Sequence, residues 1–168
     1  QTMMIAQRLY EAGKITYMRT DSVNLSAYAI NGCKETITKT MGENYVKTRQ
    51  FQTHSKGAQE AHEAIRPTHM NNETISGTAQ EQRLYDLIWK RTLASQMAEA
   101  LLEKTTATID VSESKEKLVA SGEVIKFDGF LRVYRESYDD DQEQEDDSRI
   151  LPPLSVGQNL ERKLITAT

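Results

Sequence analysis

Residues Thr105–Val111, TTATIDV, mark the point at which this chain changes its residue pattern. Upstream of them, apolar residues recur at intervals of three and four. From here onward β-branched and aromatic residues gather, with a second such run over Lys117–Tyr134. The first pattern belongs to helices with one buried face, the second to strands. The expected fold class is therefore α+β, with a helical lobe over residues 1–103 followed by a partial antiparallel β lobe over 104–168. Phe127-Asp128-Gly129-Phe130 reads as a tight turn between strands, because Asp-Gly accepts positive φ. Pro152-Pro153 breaks structure, and a last strand is expected over Leu160–Ile165.

Within the helical part, Thr2–Ala12 carries Ile5, Leu9 and Ala12 on one stripe, with Gly13 placed to end the helix. Ser26 is a good N-cap for a second helix bearing Ile30, Cys33, Ile37 and Met41 on one face, ending near Gly42. A long pattern from Ala79 to Leu102 offers Leu84, Leu87, Ile88, Met97 and Leu101 to the core. Trp89, on the same stretch, is assigned to the core rather than to base stacking. Cys33 is the single cysteine. It excludes an internal disulfide, fits a reducing compartment, and reads as a buried structural thiol. No apolar run approaches the ~20 residues of a membrane span. The chain starts inside an amphipathic pattern without an initiator Met and ends in the strand-like LERKLITAT, so it is expected to be part of something longer.

The net charge of −4 is a poor guide, because Asp139–Asp147 (DDDQEQEDD) holds seven acids and no base; without them −4 becomes +3. That run, expected as a solvated acidic loop over 138–148, lacks the spaced ligands and central Gly of a calcium loop. Residues 1–70 hold nine Lys or Arg against six Asp or Glu, together with all three histidines. A mildly basic half permits phosphate binding without demanding it.

The chemistry is concentrated in Ile15–Ser22, ITYMRTDS. It spaces a phenol (Tyr17), a guanidinium (Arg19) and a carboxylate (Asp21) two residues apart. On an extended backbone such residues share one side. A nucleophile, a forked cation and a group to orient that cation would then suit phosphoryl chemistry on a nucleic acid backbone. The bland alternatives are a half-buried strand tyrosine and a surface ion pair between Arg19 and Asp21, the latter contributing only ~0–1 kcal/mol. Thr20 and Ser22 read as turn-shaping hydroxyls. In Gln59–Thr68, QEAHEAIRPT, His62-Glu63 invites a zinc-protease reading, but the second histidine that motif needs is replaced by Arg66. Pro67 keeps Arg66 out of helical geometry. Glu60 and Glu63 read as ion-pair partners, and His54 and His69 receive no role.

The two motifs in this order, with QRLYEAG, LYDLIW, KFDGF and RILP around them, resemble the bacterial topoisomerase I branch of the type IA DNA topoisomerases. Met18 separates this branch from the topoisomerase III branch, which usually has Pro there. The resemblance spans essentially the whole chain. It implies a piece of a padlock-shaped enzyme: the helical lobe with the catalytic tyrosine and part of a β-rich arch. It implies Tyr17 as nucleophile, forming a 5′-phosphotyrosyl bond and releasing a 3′-hydroxyl, and Arg19 on the scissile phosphate. His62 would donate a proton or bind a phosphate oxygen, Arg66 would contact DNA backbone, and Asp21 would orient Arg19.

The implied partners are a single-stranded segment of negatively supercoiled DNA and the Toprim domain of the same full-length chain, with no membrane. The implied cofactor is Mg2+, its ligands lying in that Toprim domain outside this chain, and the implied location is the bacterial cytoplasm at the nucleoid. A non-catalytic DNA-binding or hinge module is the alternative. A tyrosine recombinase or type IB enzyme would instead need dispersed basic catalytic residues and a 3′-phosphate linkage. The expectation for the isolated chain is that it cannot relax DNA alone. Incubated with supercoiled plasmid and magnesium, it should leave the topoisomer ladder unchanged on an agarose gel; relaxation by highly purified material contradicts this.

Overall fold

The computed structural model describes residues 1–51, 63–112, 114–134 and 151–161. Among them are three α-helices and a two-stranded antiparallel sheet, an α+β arrangement. Helix α1 (Thr2–Glu11) buries Ala6 and Leu9. It stops through Gly13 at φ +66°, where the Lys14 N–H reaches back 2.8 Å to the Leu9 carbonyl. A left-handed glycine is a common way to satisfy the last carbonyls of a helix.

Helix α2 (Ala27–Thr40) is capped by Ser26, whose hydroxyl accepts the Ala29 N–H. Cys33 and Ile37 are completely buried on its inner face. Ile30 is half-buried, and Met41 packs at the edge of the same cluster. Burial pushes the Cys33 thiol up to about 12, with Arg66 acting weakly in the opposite direction.

Helix α3 (Ala79–Ser95) opens with a capping box, in which Thr78 accepts the Glu81 N–H and Glu81 accepts the Thr78 N–H. It ends well before the expected Leu102. Beyond Ser95 the backbone finds better partners in the 45–49 segment. The Lys47 N–H donates to the Gln96 carbonyl (3.0 Å), the Ala98 N–H to the Tyr45 carbonyl (2.8 Å), and Val46 bridges Met97. The buried stripe matches the expected one at Trp89 and Met97 and differs elsewhere. Tyr85, Trp89, Thr92 and Leu93 face the core, Leu84 and Ile88 flank it, and Leu87 is exposed. The large aromatics win the inner positions because their polar tips are satisfied there. Tyr85 donates to the Asn72 carbonyl at 2.6 Å and the Trp89 indole to the Met70 carbonyl at 2.9 Å.

The chain forms two compact units, residues 1–100 with 128–136, and residues 101–127 with 137–168. The first contains the helices and a core joined by Ile15, Met18, Met70 and Met97. The second contains strands β1 (Leu101–Asp110) and β2 (Lys117–Phe127), paired from Asp110↔Lys117 to Leu101↔Phe127. Leu101, expected on the helical stripe, is instead an exposed first residue of β1. Most of the ladder is exposed, and Lys117–Asp110 (2.9 Å) and Lys126–Glu103 (2.7 Å) pair across it.

Strand β2 ends at Phe127, not at Tyr134, and the expected Asp-Gly hairpin turn is not one: Gly129–Arg132 is a short 3-10 segment of the first unit. Leu160 and Glu161 are irregular. The remainder of the last expected strand and the acidic loop at 138–148 lie outside the described residues.

Gly129 has φ +49°, and a Cβ there would lie 2.5 Å from the carbonyl carbon and oxygen of Glu99. The Phe130 N–H donates 2.9 Å to the Ala98 carbonyl, which holds this close approach in place. Backbone cannot yield as the tip of a side chain can. Gly129→Ala should therefore destabilise the first unit by about 1–3 kcal/mol, read by urea unfolding; an unchanged midpoint contradicts the clash.

Candidate active site

The loop that carries Tyr17 is built on the exit from α1. Only Ile15 behaves as strand, bridging Pro67, and the backbone bends at Thr16, Met18 and Arg19. The expected uniform extended run over 15–22 is thus replaced by a bent loop. Its shape follows from side chains that compete locally for the backbone. The Thr20 hydroxyl accepts the Ser22 N–H at 3.0 Å, and the Ser22 hydroxyl accepts the Asn24 N–H at 3.2 Å.

The pattern of exposure nevertheless separates the chemistry from the packing. Ile15, Met18 and Ser22 are buried, whereas Tyr17, Arg19 and Asp21 are exposed. Tyr17 retains 37% of its surface, and its ring meets Tyr10 of α1 edge-on, with centroids 5.3 Å apart and planes at 68°. Among the described residues, no ion pair joins Arg19 to Asp21.

The second motif lies directly against this loop. The Thr16 N–H donates to the Arg66 carbonyl (2.9 Å), and the Thr68 N–H donates to the Lys14 carbonyl (3.0 Å). The Thr16 hydroxyl donates to the Ala64 carbonyl (2.7 Å) and accepts the Arg66 N–H (2.9 Å). Two stretches about fifty residues apart in sequence are therefore stitched together one residue from the phenol.

Arg66 is buried, and each nitrogen of its guanidinium has a protein partner. It grips Glu63 through Nε and one terminal nitrogen, both at 2.8 Å. The other terminal nitrogen donates to the carbonyls of Pro67 (2.7 Å) and Thr68 (3.2 Å). This is the geometry of an internal brace, at a residue that sequence assigned to the DNA backbone. Glu63 is the ion-pair partner anticipated, and it also accepts the Ser26 N–H at 2.8 Å, tying the brace to the start of α2. Thr16 is the residue that sequence reasoning passed over; its only signal was its place between the buried Ile15 and the phenol. His62 and His54 lie outside the described residues. His69 is described, with its Nδ1 3.4 Å from the Tyr28 hydroxyl.

A groove of about 1070 Å³ runs beside the loop, lined by Met18, Thr20, Asp21, Ser22 and apolar side chains of α1 and α3. Among the described residues, Tyr17 and Arg19 are not part of its lining, although their neighbours Met18 and Thr20 are. No group of three His, Cys, Asp or Glu able to hold a metal occurs among the described residues. Among the same residues, no helix is long and apolar enough to cross a membrane.

Comparison with known proteins is consistent across sequence and structure. The DNA topoisomerase family model matches residues 1–168. The chain is 50% identical over 165 residues to DNA topoisomerase 1 of Synechococcus elongatus, covering 94% of this chain and 18% of that protein. It is 47% identical over 161 residues to DNA topoisomerase 1 of Zymomonas mobilis, covering 93% of this chain and 13% of that one. The structure of full-length topoisomerase I from Thermotoga maritima superposes with a TM-score of 0.68 at 36% identity, over 80% of this chain and 23% of that chain. The chain thus spans less than a quarter of the length of each of these relatives.

Burial would raise the Glu63 carboxyl, but hydrogen bonds from Arg66 and Ser26 outweigh it and hold it below the ordinary carboxylate value. A carboxyl depressed in the folded state contributes stability above its unfolded pKa and loses it as pH falls through the folded one. Glu63→Gln should cost up to about 3 kcal/mol at neutral pH, since it leaves a buried guanidinium half-paired. The difference from wild type should shrink on acidification below the usual carboxylate range. Melting both proteins across that range checks the sign; a gap that widens toward low pH contradicts it.

Proposed function

The chain belongs to the DNA topoisomerase family, and on that premise we propose that it supplies the strand-cleaving tyrosine of a type IA enzyme. The observation that carries this reading is the exposure of Tyr17 and Arg19 on one short loop whose alternate residues, Ile15 and Met18, are sunk in the core. A packed, merely structural tyrosine would show the opposite pattern.

In the proposed reaction the Tyr17 oxygen attacks a backbone phosphorus of single-stranded DNA. A new bond forms from the phenolic oxygen to phosphorus, and the bond from phosphorus to the 3′-oxygen breaks. The phenolic proton is lost and the departing 3′-oxygen gains one, leaving a 5′-phosphotyrosyl ester and a 3′-hydroxyl. The ester conserves the phosphodiester energy, so reversal reseals the strand without ATP once another strand has passed. A free phenol with a pKa of ~10 is mostly protonated at neutral pH, so phenolate character must be stabilised as attack proceeds.

Arg19 meets that need by holding two non-bridging oxygens with its planar fork as charge develops on them. Lysine lacks the fork. From sequence alone, His62 is assigned to the proton of the departing oxygen or to a phosphate oxygen. Asp21 is assigned to orienting Arg19. Arg66 acts through the brace it makes with Glu63, not by touching DNA. Magnesium belongs, in this reading, to a Toprim module of the same full-length protein, and the location is the bacterial cytoplasm at the nucleoid.

The rival is a module that binds DNA or hinges the protein without forming a covalent bond. A labelled single-stranded oligonucleotide separates the two when the magnesium-binding module is present. Wild type should yield a denaturation-resistant adduct through the 5′ side, and Tyr17→Phe none. Arg19→Ala should slow adduct formation by about 10²–10³-fold. An adduct that persists in Tyr17→Phe dismisses the assignment.

A further inference from the structure

Thr16 stands out among the residues around Tyr17 because its hydroxyl spans two backbone groups of another segment. It donates to the Ala64 carbonyl at 2.7 Å and accepts the Arg66 N–H at 2.9 Å, while its own N–H donates to the Arg66 carbonyl at 2.9 Å. The Ala64 N–H in turn donates to the Asn24 carbonyl at 2.8 Å, beyond the far end of the Tyr17 loop. The loop is thereby held at Thr16 and at Asn24 by the same three-residue stretch. That stretch is itself clamped by the buried Arg66 and its grip on Glu63. The bends at Met18 and Arg19 lie between the two anchors.

We infer that Thr16 is a positioning residue for strand cleavage: its side-chain hydroxyl, latched to Ala64 and Arg66, sets the angle at which the next residue presents its phenol to DNA. The inference rests on the reading of Tyr17 as the nucleophile. An exposed ring is located by the backbone on either side of it, and Thr16 is the adjacent residue. Ile15 fixes how deeply the loop sits in the core, and the Thr16 N–H and Lys14 carbonyl set its backbone path. A hydroxyl engaged with both a donor and an acceptor of the same neighbouring segment narrows the rotation those bonds leave. The Tyr10 ring, edge-on at 5.3 Å, restrains the phenol from the other side. The latch changes how often the oxygen is aligned for attack, not how tightly the DNA backbone is held.

Thr16→Val keeps the branched shape and removes every hydrogen bond of the hydroxyl. In the full-length protein with magnesium and a labelled oligonucleotide, the single-turnover rate of adduct formation at saturating DNA should fall by about 10–100-fold, the scale of a misaligned reacting group. The oligonucleotide concentration giving half the maximal rate should stay within about twofold, because no phosphate contact is lost. Thr16→Ser, which keeps the hydroxyl, should recover most of the rate.

Amounts are normalised to folded protein by melting, so that loss of folded molecules is not read as a slower step. Should Thr16→Val fail to fold, Thr16→Cys retains a weaker donor and acceptor in similar volume, and its rate should still fall below that of Thr16→Ser. A valine variant, or the cysteine variant in its place, that cleaves at the wild-type rate overturns the inference. So does a rate loss matched by an equal rise in half-saturating concentration, or one that serine does not restore. Tyr17→Phe runs alongside. A wild-type adduct that survives Tyr17→Phe, or no adduct in wild type, defeats the parent reading instead of the latch.

Discussion

The buried grip of Arg66 on Glu63 is the constraint around which the candidate site is organised. A guanidinium taken out of water is tolerable only when its donors are met, and here two go to a carboxylate and the third nitrogen to two carbonyls. Because Glu63 also receives the N–H of Ser26, the pair joins the 63–68 segment to the start of α2. The backbone of that segment then becomes a rigid edge for Lys14–Thr16 to dock against. Position of the Tyr17 loop is thus inherited from an ion pair that the phenol itself never touches.

Much of the helical unit was readable because capping and periodicity are local. Ser26, Gly13 and the inward Leu9, Cys33 and Ile37 needed no knowledge of distant residues, although Ala6 takes the inner place expected of Ala12, which is exposed. The end of α3 was not readable, since the residues that draw Gln96 to Ala98 away from the helix sit at 45–49. The buried stripe was read correctly at Trp89 and Met97 but not at Tyr85, Leu87 or Leu93. The value of an inward Tyr85 or Trp89 depends on the Asn72 and Met70 carbonyls waiting for their polar tips. The Asp-Gly signal at 128–129 failed because its positive φ serves a close backbone approach to Glu99 and not a hairpin.

The candidate site was legible in identity more than in geometry. Residue types at Tyr17, Arg19 and Asp21 suggested a shared side on an extended strand. The structure reaches their common exposure by a bent loop anchored at Ile15 and Met18. Arg66 illustrates the opposite case. An arginine beside a phosphate-handling motif invites assignment to the phosphate, yet nothing in a linear sequence tells whether Glu63 and two carbonyls will claim it first. In this structure Arg66 is buried, and Glu63 and the Pro67 and Thr68 carbonyls hold its guanidinium.

Cys33 has a practical consequence. The only sulfhydryl in the chain is sealed inside α2 and kept protonated far above physiological pH. Since alkylating reagents consume the deprotonated form, this side chain is expected to react slowly with maleimides while the protein is folded. A cysteine introduced at any exposed position would therefore accept a fluorophore selectively, with no need to remove the natural one. Distance measurements between dyes on this molecule can be planned on the unmodified background.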